Sequence, residues 1–274
     1  MPELSEFLPM LALILMIGAL AGVIAGLLGV GGGIVLVPAF FFAFEGLGYG
    51  PEGLMQICLA TSLATIVVTS LRSVLGHHRR GAVEWEILRR WGPGIVIGAC
   101  LGVVAASGLR NEVLMAIFGV LGLGVGLYMA FGRPEWRLGT QMPGTAGTVV
   151  TSPIIGFLSV LMGIGGGSFG VPMMTLYGVP IHRAVATAAG FGVIIAVPAV
   201  VGFLLTPGEA ANRPPFTVGQ VNLVAFAVVV AMTLVTTPLG VKLAHAMDPK
   251  PLKRVFALFI MVMALNMLRK ALGY

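Results

Sequence analysis

The sequence predicts an all-α polytopic membrane protein built from two inverted repeats. Each repeat carries a broken or re-entrant glycine-rich segment followed by three spans, roughly eight to ten membrane segments in all. Three observations lead there: a composition too apolar for water, a glycine cluster that occurs twice, and loop charges whose order reverses between the halves.

Of the 274 residues 58% are hydrophobic and 9% charged, where a soluble domain carries about 25% charged residues. The apolar runs Ile57 to Leu71, Gly94 to Leu109, Val113 to Phe131, Ala184 to Leu205, Val218 to Val241 and Val255 to Leu268 are about long enough to cross a hydrocarbon core of roughly 30 Å. The net charge of +6 sits in short stretches between these runs, such as His77-His78-Arg79-Arg80 and Lys250 to Arg254. Loops facing anionic lipid look like that, and a nucleic-acid surface does not, so nucleic acid is excluded as a partner. Met1 to Pro9 carries Glu3 and Glu6 instead of a basic segment, so no cleavable signal peptide is expected. Cys58 and Cys100 lie within apolar runs and are expected as packed thiols; Trp85 and Trp91 flank the start of a span and are expected as interfacial anchors.

The repeat begins with Gly22 to Gly33, which matches Gly156 to Gly167 residue for residue in spacing; Val37-Pro38 then falls on Val171-Pro172. Further on, Leu59-Ala60-Thr61 matches Val185-Ala186-Thr187, Gly102 matches Gly240, and Leu114 with Phe118 matches Leu252 with Phe256. The domains are therefore read as a first repeat over 1–131, a linker over 132–145 and a second repeat over 146–274. Loop charge adds orientation. In the first half the loops run acidic (Glu45, Glu52), basic (Arg72 to Arg90), neutral (Arg110, Glu112); in the second they run basic (His182, Arg183), neutral (Glu209, Arg213), basic (Lys242 to Arg254). Equivalent loops then lie on opposite sides of the membrane, which requires an odd number of crossings per repeat. Five segments per half satisfy this, counting two short ones that meet at the glycines; a re-entrant hairpin plus three spans does so equally. The scheme places 208–214 outside and 250–253 inside. It puts both termini outside, which suits Glu3 and Glu6 but not Arg269 and Lys270. Eight uninterrupted spans in parallel repeats would violate the charge rule more severely.

The spans carry almost no Asp, Glu, Lys or His in their interiors, and the loops are too short to fold separately. That argues against an enzyme, a metal site, a cofactor and a carboxylate relay, and leaves backbone and hydroxyls to bind a substrate. If the chain breaks at Gly31-Gly32-Gly33 and at Gly165-Gly166-Gly167, the half-helices that follow start near the midplane with free N–H groups and positive dipole ends, which favour anions. The upstream Gly18, Gly22, Gly26 and Gly29 instead suit close helix packing. Ser168 is a candidate substrate donor or helix cap, and Thr61, Ser62, Thr65 and Thr187 are candidate cavity hydroxyls, unless they bond the carbonyls of their own helices. Arg72 and Arg183 are candidates to steer an anion at the mouth, or plain interfacial anchors. A nucleotide-binding loop is excluded, because Ile34-Val35-Leu36-Val37 follows where a Walker motif needs Lys and Ser or Thr.

The glycine and Val-Pro pattern, with Ala60-Thr61-Ser62 in one half and Ala186-Thr187 in the other, resembles the TauE/SafE sulfite exporter family over nearly the whole chain. The resemblance implies a multi-pass permease of the bacterial inner membrane that exports sulfite, sulfonates or related small anions. This sequence departs from a symmetric pattern at Ala188, where Ser62 would align. The expected partners are a small anion and the bilayer. A homo-oligomer and proton coupling are compatible with the sequence, which names no proton carrier. The alternatives are an anion channel and a non-transporting structural protein.

Overall fold

The computed structural model describes residues 12–23, 33–50, 52–132, 136–207, 213–246 and 249–273, with backbone alone over 240–246, 249–253 and 255–256. Gly31 and Gly32 lie outside the described residues. Ten helices appear among those described: α1 (Ala12–Val23), α2 (Gly33–Gly46), α3 (Leu54–His78), α4 (Trp85–Gly108), α5 (Asn111–Phe131), α6 (Thr145–Leu161), α7 (Gly167–Leu176), α8 (Ile181–Leu205), α9 (Leu223–Ala246) and α10 (Pro249–Ala271). The order short, short, long, long, long therefore occurs twice. Four helices, α3, α4, α5 and α8, are long and apolar enough to cross a membrane by length and composition. One small departure from all-α is a hairpin of two-residue strands, β1 (Thr217–Val218) and β2 (Val221–Asn222), which leads into α9. Asn222 ends it by capping α9, its Oδ1 accepting from Ala225 N–H at 2.8 Å.

The halves interlock. α4 packs on α6 and α8, α5 on α10, and α3 on α8 and α9, while α2 lies on α3 and α7 on α8. α1 meets α9 where Gly18 and Gly22 face Val229, Met232, Thr233 and Thr236. Advancing each helix by five positions turns every one of these pairs into another of them, or into itself. α3 is the central helix: 78% of its most apolar stretch is buried, against 33% for α5.

Small residues set the close approaches. On α4 and α6 a Cβ added to Gly98 would collide with the Pro153 carbonyl, and one on Gly156 with the Ile95 carbonyl, so the two backbones touch directly. Prolines inside α2, α4, α6, α7, α8 and α9 are accommodated because neighbouring helices surround them.

Two expectations are corrected here. Trp91 is not an interfacial anchor: it is fully buried and stacks on Phe191 at 6.3 Å, because it faces α8 and not lipid. Trp85 does sit at the exposed end of α4, donating to His78 Nδ1 at 3.1 Å. Cys58 is packed as expected, whereas Cys100 is exposed on the outer face of α4. Lys270, the misfit of the charge scheme, is paired with Glu45 at the end of α2 and lies 5.7 Å and 5.5 Å from the Phe41 and Phe42 rings.

Candidate functional site

The break in the second half is a helix terminus followed by a helix start. α6 ends in a Schellman motif: Ile164 N–H returns to Ser159 O and Gly163 N–H to Val160 O, both at 2.9 Å. Gly163 has φ +61, a left-handed conformation that glycine adopts without a Cβ penalty. The last carbonyls of α6 are satisfied in this way inside the bundle. α7 then starts at Gly167, and the bond from Gly170 N–H to Gly166 O, 2.8 Å, opens its ladder. The N–H groups ahead of that bond have no acceptor within the helix.

α3 holds this break against the start of α2. Ser62 Oγ donates to Gly163 O at 2.7 Å. A Cβ on Gly33 would stand 2.8 Å from Ile66 Cδ1 and 3.1 Å from Gly163 O, and one on Gly165 would stand 3.2 Å from Ile66 Cγ2. The first residue of α2 and the approach to α7 thus converge on Ile66. The side of Gly166 that lacks a side chain faces α8, with the Ala188 carbonyl 2.8 Å from an added Cβ. The glycines are consequently required for packing, and at the same time their backbone forms a cavity wall.

That cavity has a volume of about 230 Å³. Gly33 and Leu36 of α2, the Gly165 to Gly167 backbone, and Ala188 and Ala189 of α8 form one side. Thr65, Ile66, Thr69, Ser70, Arg72 and Ser73 of α3 form the second; Thr233, Leu234, Thr237 and Pro238 of α9 form the third. The hydroxyls are of two kinds. Thr65 donates to Ser62 O at 2.7 Å, Thr69 to Thr65 O at 3.0 Å and Thr233 to Val230 O at 3.0 Å, so their protons are committed to their own helices. Ser70, Ser73 and Thr237 make no such bond among the described residues. Arg72 is the one charged residue among the described lining residues, and it forms no ion pair among those described. No carboxylate lines the cavity among the described residues, and no group of His, Cys, Asp or Glu among them could hold a metal ion.

Of the residues singled out from sequence, Gly33, Thr65, Gly165, Gly166, Gly167 and Arg72 come together at this cavity; Gly31 and Gly32 lie outside the described residues, and Thr61, Ser62, Ser168, Thr187 and Arg183 do not line it. Thr61 Oγ1 accepts from Asn222 N–H at 2.9 Å, and Thr187 Oγ1 accepts from Glu84 N–H at 3.0 Å. The two matched threonines thus do the same job in opposite halves, each fastening its helix to the first turn of a long helix in the other half. Ser62 is spent on Gly163. Ser168 is buried in the first turn of α7, away from the cavity wall. Arg183 is paired with Glu84 at an exposed helix end. The residues that sequence reasoning missed are Ser70, Ser73, Thr233 and Thr237. A hydroxyl stripe at helical spacing from Ser62 to Ser73 was the available signal on α3.

A bundle of apolar helices around a cavity with one cation among its described lining residues defines a class, the polytopic membrane transporters of small anions. The chain belongs to the sulfite exporter TauE/SafE family, which matches residues 14–267. A protein of Haemophilus influenzae described as "Probable membrane transporter protein" is 31% identical over 258 residues, covering 94% of this chain and 98% of the relative. One of Methanocaldococcus jannaschii with the same description is 25% identical over 264 residues, covering 96% and 97%. One of Bacillus subtilis is 28% identical over 200 residues, covering 64% and 71%. No solved structure matches the chain. Membership places the chain among multi-pass proteins of bacterial-type inner membranes that transport small anions and are not enzymes.

Proposed function

We propose that the chain is a secondary transporter that exports small sulfur-containing or organic anions, such as sulfite or sulfonates, by alternating access. The observation that carries this reading is the cavity: Gly33, the first described residue of α2, and the start of α7 meet hydroxyls and an arginine that has no ion pair among the described residues, with no carboxylate in the described wall. Helix starts and arginine both favour negative charge. Gly33, Gly165, Gly166 and Gly167 supply backbone N–H groups, Ser70, Ser73 and Thr237 supply hydroxyl donors, and Arg72 draws the anion in. Thr61, Ser62 and Thr187 serve by holding the frame.

We assign 1–131 and 146–274 to two oppositely oriented repeats joined by 132–145. A packing scheme preserved when the halves are exchanged supports this, as do the odd number of helices in each and the reversal of loop charge. On that assignment the Arg72 end of α3 faces the cytoplasm, and the cavity is entered from there.

The test is flux in proteoliposomes holding the whole protein, using sulfite, sulfoacetate and a short carboxylate across a set pH gradient. Saturable flux is expected, with Arg72→Gln reducing it at low substrate by about tenfold, the scale of one charge-assisted hydrogen bond. Ohmic current would mark a channel instead, and no flux of any probe a structural protein.

A further inference from the structure

The cavity has a counterpart elsewhere in the fold. Thr61 corresponds to Thr187, and Gly102 to Gly240. The two cross-half bonds confirm both registers, since Thr61 meets Asn222 as Thr187 meets Glu84. In this register Thr69, Ser70 and Ser73 of α3 fall on Ile195, Ala196 and Ala199 of α8, while Thr233 and Thr237 of α9 fall on Ile95 and Ala99 of α4. Where the α3–α9 seam is parted and polar, the α4–α8 seam is shut: Ile195, Ala196, Ala199, Ile95 and Ala99 are each 0% exposed. Arg72 and Ser73, by contrast, are exposed. Arg72 itself falls on Pro198, so the second seam has no cation there.

We infer that the α4–α8 seam is a second access route to the same midplane site, closed in this structure, and that the two routes differ in chemistry. The α3–α9 route attracts an anion through Arg72 and hydroxyls. The α4–α8 route is apolar at these five matched positions and carries no charged side chain there; with Trp91 Nε1–H, beside Phe191, as its buried free donor, it holds an anion less tightly than the α3–α9 route does. The inference rests on the carrier reading above and adds sidedness to it. A substrate offered at the α3–α9 side is captured at lower concentration than the same substrate offered at the α4–α8 side. In a passive carrier the ratio of maximal rate to KM is equal in both directions, so the side with lower KM also has the lower maximal rate.

The test uses the full chain in sealed membrane vesicles of each orientation, with sulfite and sulfoacetate as probes and a membrane-impermeant thiosulfonate as label. In a background of Cys58→Ala and Cys100→Ala, Ser73→Cys is labelled from one side. Ala199→Cys is expected to be unlabelled at rest and to become labelled from the opposite side during flux. Independently of either cysteine variant, Arg72→Gln is expected to raise KM about tenfold when substrate is supplied from the Ser73 side, and less than twofold from the other, the factor being that of one charge-assisted hydrogen bond. Labelling of both cysteines from one side would overturn the inference while leaving a carrier in place. So would an Ala199→Cys that stays unlabelled during saturable flux, or a KM raised equally from both sides. Absence of saturable flux in the native protein would overturn the carrier reading, and the inference with it.

Discussion

α3 and α8 occupy equivalent places in the two halves, have the same length of 25 residues, and carry the same Ala-Thr pair about two turns from their starts. Beyond that pair they diverge. α3 continues with hydroxyls and an arginine along the stripe that α8 fills with Ile195, Ala196 and Ala199. A duplicated scaffold has therefore kept its fastening residues in both copies and placed its polar chemistry in one. Symmetry of packing does not require symmetry of chemistry here, because close helix contact needs only small apolar side chains, and the hydroxyls and arginine of α3 have no counterparts at the matched positions of α8.

The most severe way to break the comparison is to put one charge at both matched positions. Ile195→Lys would bury an unpaired ammonium at a fully buried site, a cost of several kcal/mol. Thr69→Lys places the same group at the cavity wall beside open space. Size-exclusion yield of detergent-solubilised protein should collapse for Ile195→Lys and persist for Thr69→Lys; equal yields would mean that the seams are equally closed. A smaller effect is expected from Thr61→Val, which orphans the buried Asn222 N–H at about 1–3 kcal/mol, and a smaller one again from Thr187→Val, whose partner Glu84 N–H is only part-buried. Both should lower the thermal midpoint, Thr61→Val more, and leave transport per folded molecule unchanged. A loss of transport in Thr61→Val alone would return that residue to the substrate site. The smallest effect belongs to Lys270→Gln, which removes a part-exposed ion pair worth about 0–1 kcal/mol. Its shift in thermal midpoint should be slight and vanish at high salt.

The number of helices among the described residues and the position of the break between α6 and α7 were legible in the sequence, because the second glycine triplet and the spacing of apolar runs are features of the chain itself. The facing of the helices was not. In water the apolar stripe of a helix marks its buried side, but in lipid the outer faces are apolar too, so nothing in the pattern told Trp91, which is fully buried, from Trp85, which is exposed. Thr61 and Thr187 mislead for a related reason. A hydroxyl in an apolar span signals that some polar group is near, and here that group is a backbone N–H from the other half. Arg72 was legible as a charge one turn beyond a hydroxyl. That it has no ion pair among the described residues required knowing the fold, in which Glu84 is drawn to Arg183, Glu112 to Arg110 and Glu45 to Lys270.

The interlocked packing has a consequence for how the protein comes to exist at all. α1 rests on α9, α4 on α6 and α5 on α10, so a polypeptide ending after α5 would leave its main contact surfaces without their protein partners. Such a fragment could complete itself only by meeting a second one. The unit that folds is the pair, and during synthesis the first five helices must wait in the bilayer for the last five.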